Sequence, residues 1–290
     1  MISWRFLTIY VLRVNGRETR TEITNWYLYS HSSRTERYDH HSYAIKAAIH
    51  GRLEILKYLY KTSDNNHWND FPCINAASYG HLEIIKYLYD LNRSNLQNTK
   101  DCIRNAANNG HLEIIKYLRE DRYFINNLSS WDQFACYNAS KNKHLDILKY
   151  LHEKGCPWDY MSCTNAAENG DFEILKYLHE NGCPWDYMSC TNAAKNGDFE
   201  MLKYLHENGC SWNKNTCYAA AQNGHLEILK YLRENGCEWE LHPRQGRTWQ
   251  ETVFECAINN NHSEIVQYIR DNGDGIVCGD TTCGYCMRSL

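Results

Sequence analysis

Cysteine is the first residue in this chain to offer chemistry. Fourteen occur among 290 residues. Near the C-terminal end, Cys283-Gly284-Tyr285-Cys286 forms a CxxC pair with Cys278 close by. A zinc site needs about four ligands; Cys278 would be a third, and His262 is a distant fourth. A redox dithiol needs a βαβ setting, which the flanking residues do not provide. A metal- or redox-responsive function would therefore have to act through the tail, residues 273–290. Asp271 to Gly275 lacks the alternating acidic residues of a calcium loop. No phosphate-binding glycine loop or nucleophile motif occurs elsewhere. The sequence points to no enzyme, no metal site and no cofactor.

Most of the other cysteines fall into a pattern. Cys73, Cys136, Cys163, Cys190 and Cys217 fill one recurring slot, with Cys102 one residue off it, and Cys156, Cys183, Cys210 and Cys237 fill a second. Equivalent residues in stacked helices lie about 8–10 Å apart, and a disulfide needs Cα atoms within about 7 Å. Same-slot pairs therefore cannot bridge. The pattern predicts small buried apolar residues in a reducing compartment.

The slots belong to a repeat. Gly170-Asp171-Phe172-Glu173-Ile174-Leu175-Lys176-Tyr177-Leu178-His179-Glu180-Asn181-Gly182 returns nearly unchanged from Gly197 to Gly209 and from Gly224 to Gly236. Looser copies start at Gly51, Gly80, Gly110, Lys143 and Asn261, giving steps of 29, 30, 33, 27, 27, 27 and 37 residues. Eight copies of one unit mark a repeat architecture that stacks about one continuous core.

The unit at 156–182 shows the logic. Asp159 reads as the N-cap of a first helix, and the spacing of Trp158 to Cys163 suits a hydrophobic staple. Cys163, Ala166 and Ala167 share one face. Gly170 ends the helix with a left-handed residue, and Asp171 caps a second helix. Phe172, Leu175 and Leu178 are predicted to line its inner face, with Ile174 and Tyr177 flanking. The paired alanines let the helices approach closely. The tyrosine, present in all eight units, reads as packing. Glu173 and Lys176 read as a solvated i,i+3 pair, and His152, His179 and His206 are assigned to the same solvated face.

Asn-Gly-His-Leu-Glu-Ile-Leu-Lys-Tyr-Leu at 223–232, preceded by Ala220-Ala221, resembles an ankyrin repeat. The likeness runs from about Tyr43 to Asn272. It is closest to the divergent ankyrin proteins abundant in giant DNA viruses of amoebae. Two features depart from the family: the 27-residue step and the absence of a Thr-Pro-Leu-His opening, replaced at 161–164 by Met161-Ser162-Cys163-Thr164. The expected fold is all-α, a solenoid of stacked helix-turn-helix units lacking most β-hairpin fingers. Residues 1–42 form a capping segment, in which Ile2–Val14 and Thr21–Tyr29 suggest a hairpin and Ser30–His41 a loop. The array covers 43–272, with an insert near 240–248 and an irregular connection at Tyr123–Ser130, and the cysteine-containing tail follows.

The resemblance implies a non-catalytic scaffold that binds a protein partner on its concave face. Asn75, Asn105, Asn138, Asn165 and Asn192 fill one slot just before the alanines. Asn165 lies about 200° around the helix from Cys163, pointing away from the core. Two readings remain: a ladder bonding unit to unit, or a polar strip that meets the partner. Net charge is -4, with no basic field for nucleic acid. No stretch approaches the roughly 20 apolar residues of a membrane span, and no signal peptide is evident. The expectation is a monomer in the cytoplasm, that of the host cell if the chain is viral.

Overall fold

The computed structural model describes residues 40–62, 71–91, 99–120, 132–237 and 252–272. Residues 1–39, the Tyr123–Ser130 connection, the 240–248 insert and the cysteine tail lie outside the described residues, and with them the hairpin, the cap and the CxxC. Among the described residues are sixteen α-helices and no strand.

The helices form eight pairs. The first three are α1 (His40–Ile49) with α2 (Leu53–Thr62), α3 (Phe71–Ser78) with α4 (Leu82–Leu91), and α5 (Thr99–Asn108) with α6 (Leu112–Glu120). The middle three are α7 (Gln133–Lys141) with α8 (Leu145–Glu153), α9 (Tyr160–Glu168) with α10 (Phe172–Glu180), and α11 (Tyr187–Asn196) with α12 (Phe199–Glu207). The last two are α13 (Lys214–Gln222) with α14 (Leu226–Glu234), and α15 (Val253–Asn259) with α16 (Ser263–Asp271). Helix α1 begins inside the segment expected to be a loop, taking in His40 and His41.

Local chemistry sets these boundaries. Asp132, Asp159 and Asp186 sit in extended conformation ahead of α7, α9 and α11, and each carboxylate accepts a backbone N–H of the first turn. That satisfies one of the donors a helix start leaves open. Each first helix ends in the same turn. The N–H of Asp171 donates to the Ala166 carbonyl at 2.8 Å, and that of Gly170 to Ala167 at 3.2 Å, with Gly170 at φ +66°. This pairing is the Schellman arrangement. Its bond spanning five residues recurs in all eight units, from Arg52 to Ala47 through His262 to Ala257. A matching turn ends several second helices: the N–H of Cys183 donates to the Leu178 carbonyl and that of Cys237 to Leu232. The second-slot cysteines are therefore fixed just past their helices.

The paired alanines and first-slot cysteines are buried, as are Ile174, Leu175 and Leu178 and most of their counterparts, with Ile55 and Val266 half-buried. Within α10 the assignment changes in one respect: Ile174 is core, and Phe172 is half-buried at the flank. Tyr177, Tyr204 and Tyr231 are half-buried packing residues. Successive first helices pack directly on one another, from α1 through α15, while neighbouring second helices touch only sparsely. Small side chains on the first helices permit that closeness. The stacking continues across the 33- and 37-residue steps, because α5 packs on α7 and α13 on α15.

Candidate functional site

The asparagine slot lies at the joint between first helices. Asn138 donates to the Arg104 carbonyl at 3.1 Å and Asn192 to the Thr164 carbonyl at 3.2 Å, each reaching back to the preceding unit. Asn75 and Asn105 donate within their own helices, to the carbonyls of Phe71 and Asp101. Asn165 and Asn192 are only 7 % and 8 % exposed, and Asn165 Nδ2 has no hydrogen-bond partner. The expectation that this slot points away from packed surface fails for these two. The angle around one helix takes no account of the neighbouring helix, which covers that flank. Asn75, Asn105 and Asn138 are half-buried. Lys46, in the same slot of α1, is also half-buried, with Nζ 5.7 Å from the centre of the Tyr43 ring.

Two further stitches join the units. Where the second helix is preceded by histidine, the imidazole reaches back. His81 Nε2 lies 2.9 Å from the Ile49 carbonyl, and His111, His225 and His262 make the same contact with Ser78, Lys195 and Gln222. Where Asp171 and Asp198 replace histidine, the carboxylate caps its own helix, accepting from Ile174 and Met201. Phe172 and Phe199 then make the inter-unit contact, edge-on to Tyr204 and Tyr231 at 5.3 Å between centroids.

The second stitch corrects the placement of three histidines. His152, His179 and His206 stack on Trp158, Trp185 and Trp212 of the next unit, with centroids 4.0, 3.8 and 3.9 Å apart. Each also meets edge-on the next unit's tyrosine, Tyr177, Tyr204 or Tyr231. His152 Nδ1 lies 3.1 Å from the Tyr177 hydroxyl, and His206 Nδ1 lies 2.8 Å from that of Tyr231. These histidines are half-buried clamps, and Trp158 is held against His152. Burial, with Glu153 nearby, pushes the Tyr177 phenol above its ordinary pKa.

Ion pairs recur on the second-helix side. Glu54–Lys57, Glu83–Lys86, Glu113–Lys116 and Glu227–Lys230 are exposed i,i+3 pairs at 2.7–2.8 Å. Such pairs stabilise by only a few tenths of a kcal/mol, so they mark a solvated face. Lys176 departs from this pattern and sits 3.9 Å over the Phe172 ring. Arg104 joins α5 to α7 by pairing with Asp101 and Asp132, and its guanidinium lies over the Phe134 ring. Among the described residues no group of three or more His, Cys, Asp or Glu side chains is placed to hold a metal ion.

The first-helix side carries a feature that the sequence did not make prominent. Phe134, Tyr160, Met161, Tyr187 and Met188 occupy the first turns of α7, α9 and α11 and are 36–46 % exposed. They form a row of large apolar side chains on three adjacent units, with Phe71 in the corresponding position of α3. The signal was present in the sequence. Met161 lies about 160° around the helix from Cys163, and Asp-Tyr-Met recurs 27 residues later at 186–188.

Sequence models described as ankyrin repeats (3 copies) match residues 74–162, 103–189, 163–242 and 190–280, and one described as ankyrin repeats (many copies) matches 44–89. None of the curated proteins compared with the chain matches it. Among the described residues no helix is long and apolar enough to cross a membrane.

Proposed function

The chain belongs to the ankyrin-repeat family, whose members generally mediate protein–protein interaction, and on that premise we propose that it is a non-catalytic scaffold holding a protein partner on the side formed by its first helices. One observation carries the choice of side: the exposed row of Phe134, Tyr160, Met161, Tyr187 and Met188. Contiguous exposed apolar side chains with a polar rim are characteristic of protein contact surfaces, and aromatic residues and methionine are enriched in them. Lys141, Glu168 and Lys195 supply that rim at the other ends of the same helices. The second-helix side offers mainly solvated charge, with recurring exposed i,i+3 pairs.

In this reading Asn75, Asn105 and Asn138 contribute polar contacts beside the apolar row, while Asn165 and Asn192 act chiefly in the stack. The partner is a protein and not a nucleic acid, because lysine and arginine are balanced by acidic residues. The scaffold works as a monomer inside the cell, in the cytoplasm. The test is affinity capture with the full chain, beside a Phe134→Ser, Met161→Ser, Met188→Ser variant and a control variant changed at Glu173 and Glu200. A protein retained by the wild type and the control but lost by the triple variant supports the assignment. Equal retention by all three removes it.

A further inference from the structure

Four consecutive units each contain a cysteine on the first helix and another 20 residues later, just past the second helix: Cys136 and Cys156, Cys163 and Cys183, Cys190 and Cys210, Cys217 and Cys237. Like slots lie in neighbouring units, but the two slots of one unit meet. Cys217 Sγ lies 2.8 Å from Cys237 Sγ. In the other three units the first-slot thiol is raised above its ordinary pKa, chiefly through a hydrogen bond to its second-slot partner. Each second-slot thiol is further held against the carbonyl of its own unit's N-cap residue, at 3.2–3.5 Å from Asp132, Asp159, Asp186 or Asn213. The turn that closes the second helix fixes its backbone. All eight cysteines are buried and unbridged.

We propose that these are disulfide-forming pairs, and that hydrogen peroxide converts them to bridges that staple four adjacent units from within. The second-slot cysteine reacts first. Cys237 keeps 6 % of its surface exposed and Cys217 none, and the other pairs show the same order. The hydrogen bond with Cys237, together with burial, pushes the Cys217 thiol well above its ordinary pKa, so Cys217 is not the initial thiolate. The Cys237 thiolate attacks a peroxide oxygen. The O–O bond breaks, one water leaves after protonation, and a sulfenic acid forms. The Cys217 sulfur then attacks the sulfenic sulfur. The S–S bond forms, the S–O bond breaks, and a second water leaves with the Cys217 proton. Two thiols lose two protons and two electrons, and one hydrogen peroxide becomes two waters.

Each bridge would tie the residue after a second helix to the first helix of the same unit. It would restrict the unfolded chain across a short loop and oppose opening of that unit. Burial makes the reaction slow at neutral pH, since the thiolate is the nucleophile. Oxidation would thus set the stiffness of the array over the units that carry the exposed apolar row.

The test uses the full chain, reduced, freed of reductant and exposed to hydrogen peroxide under native conditions. Remaining thiols are then blocked in denaturant, and linked peptides are mapped by mass spectrometry. The expected map links Cys217 to Cys237 and gives the equivalent within-unit links in the other three units. Two thiols disappear per link, and the thermal midpoint rises until reductant restores it. A Cys237→Ser variant that keeps its helical circular dichroism should leave Cys217 free and the other links intact. The wild-type map decides the matter even if that variant does not fold. Thiols that react only after denaturation, sulfinic acids without links, or links from Cys237 to Cys278, Cys283 or Cys286 would overturn the proposal.

Discussion

The imidazole of His111 lies over Gly80, its Cε1 only 2.7 Å from where a Cβ on that glycine would stand. The same ring-over-glycine contact links His81 with Gly51, His144 with Gly110, His225 with Gly197 and His262 with Gly224. It is missing where the following unit carries aspartate. Gly170, ahead of Asp198, has open space at that point. The corresponding residue ahead of Asp171 is not glycine at all but Lys143, at φ +63°. The identity of one unit's capping residue therefore sets what the previous unit's turn tolerates.

The first prediction follows from this pairing. Gly80→Ala and Gly170→Ala both place an L side chain at positive φ, at a cost of about 1–2 kcal/mol. Gly80→Ala must also displace His111 from the Ser78 carbonyl, adding about 1 kcal/mol. Urea unfolding should show the larger loss for Gly80→Ala, and His111→Asp in the same chain should recover the difference. Equal losses for the two glycine variants would show that the ring imposes no constraint.

The clamp between units predicts graded losses at Tyr231. Tyr231→Phe removes the hydroxyl that bonds His206, and should cost about 1 kcal/mol. Tyr231→Ala also removes the edge contacts with His206 and Trp212. Because the side chain is half-buried, the total should be about 2–3 kcal/mol, below the 3–5 kcal/mol of a fully buried aromatic. Calorimetry on both variants checks the order. A Tyr231→Ala loss under about 1 kcal/mol would mean the clamp contributes little.

The asparagine slot separates structural from contact roles. Asn192→Ala gives up the bond to the Thr164 carbonyl and should cost about 1 kcal/mol. Asn165→Ala removes a buried amide nitrogen that has no partner, so it should be neutral or slightly stabilising. Thermal denaturation of the two single variants compares them directly. A larger loss for Asn165→Ala would reverse the assignment.

Much of this was legible in the residues because the signals are local. The aspartate caps, the glycine turns and the buried Ala and Leu positions each depend on a few neighbouring residues, and the structure places them as read. What crosses from one unit to the next was harder to see. His152 looked solvated because its partner Trp158 lies in the following unit. Asn165 looked outward because a single helix does not show the neighbour that covers it. Cys217 was compared with Cys190, its equivalent, while its contact is Cys237, across two turns in the same unit.

Alkaline pH should weaken the reduced fold. The thiols of Cys136, Cys163, Cys190 and Cys217 are held far above their ordinary value of 9.0, chiefly by hydrogen bonds to their partner cysteines and by burial. The unfolded chain releases these protons near pH 9 and the folded chain keeps them. The unfolded state thus binds fewer protons above that point, and stability falls as pH rises. Each thiol contributes at most about 1.4 kcal/mol per pH unit. Urea midpoints under reducing conditions should show little change from these groups between about pH 7 and 8, then a steep decline above about pH 9. A flat profile to about pH 10.5 would contradict the assignment of four protonated buried thiols.

The most direct test of the proposed working surface is a photo-cross-linking amino acid placed singly at Met161, Met188, Glu173 or Glu200, with the chain illuminated in the cell that makes it. The account predicts a discrete protein adduct from positions 161 and 188 and none from 173 and 200. Adducts from positions 173 and 200 alone would put the partner on the second-helix side and contradict it.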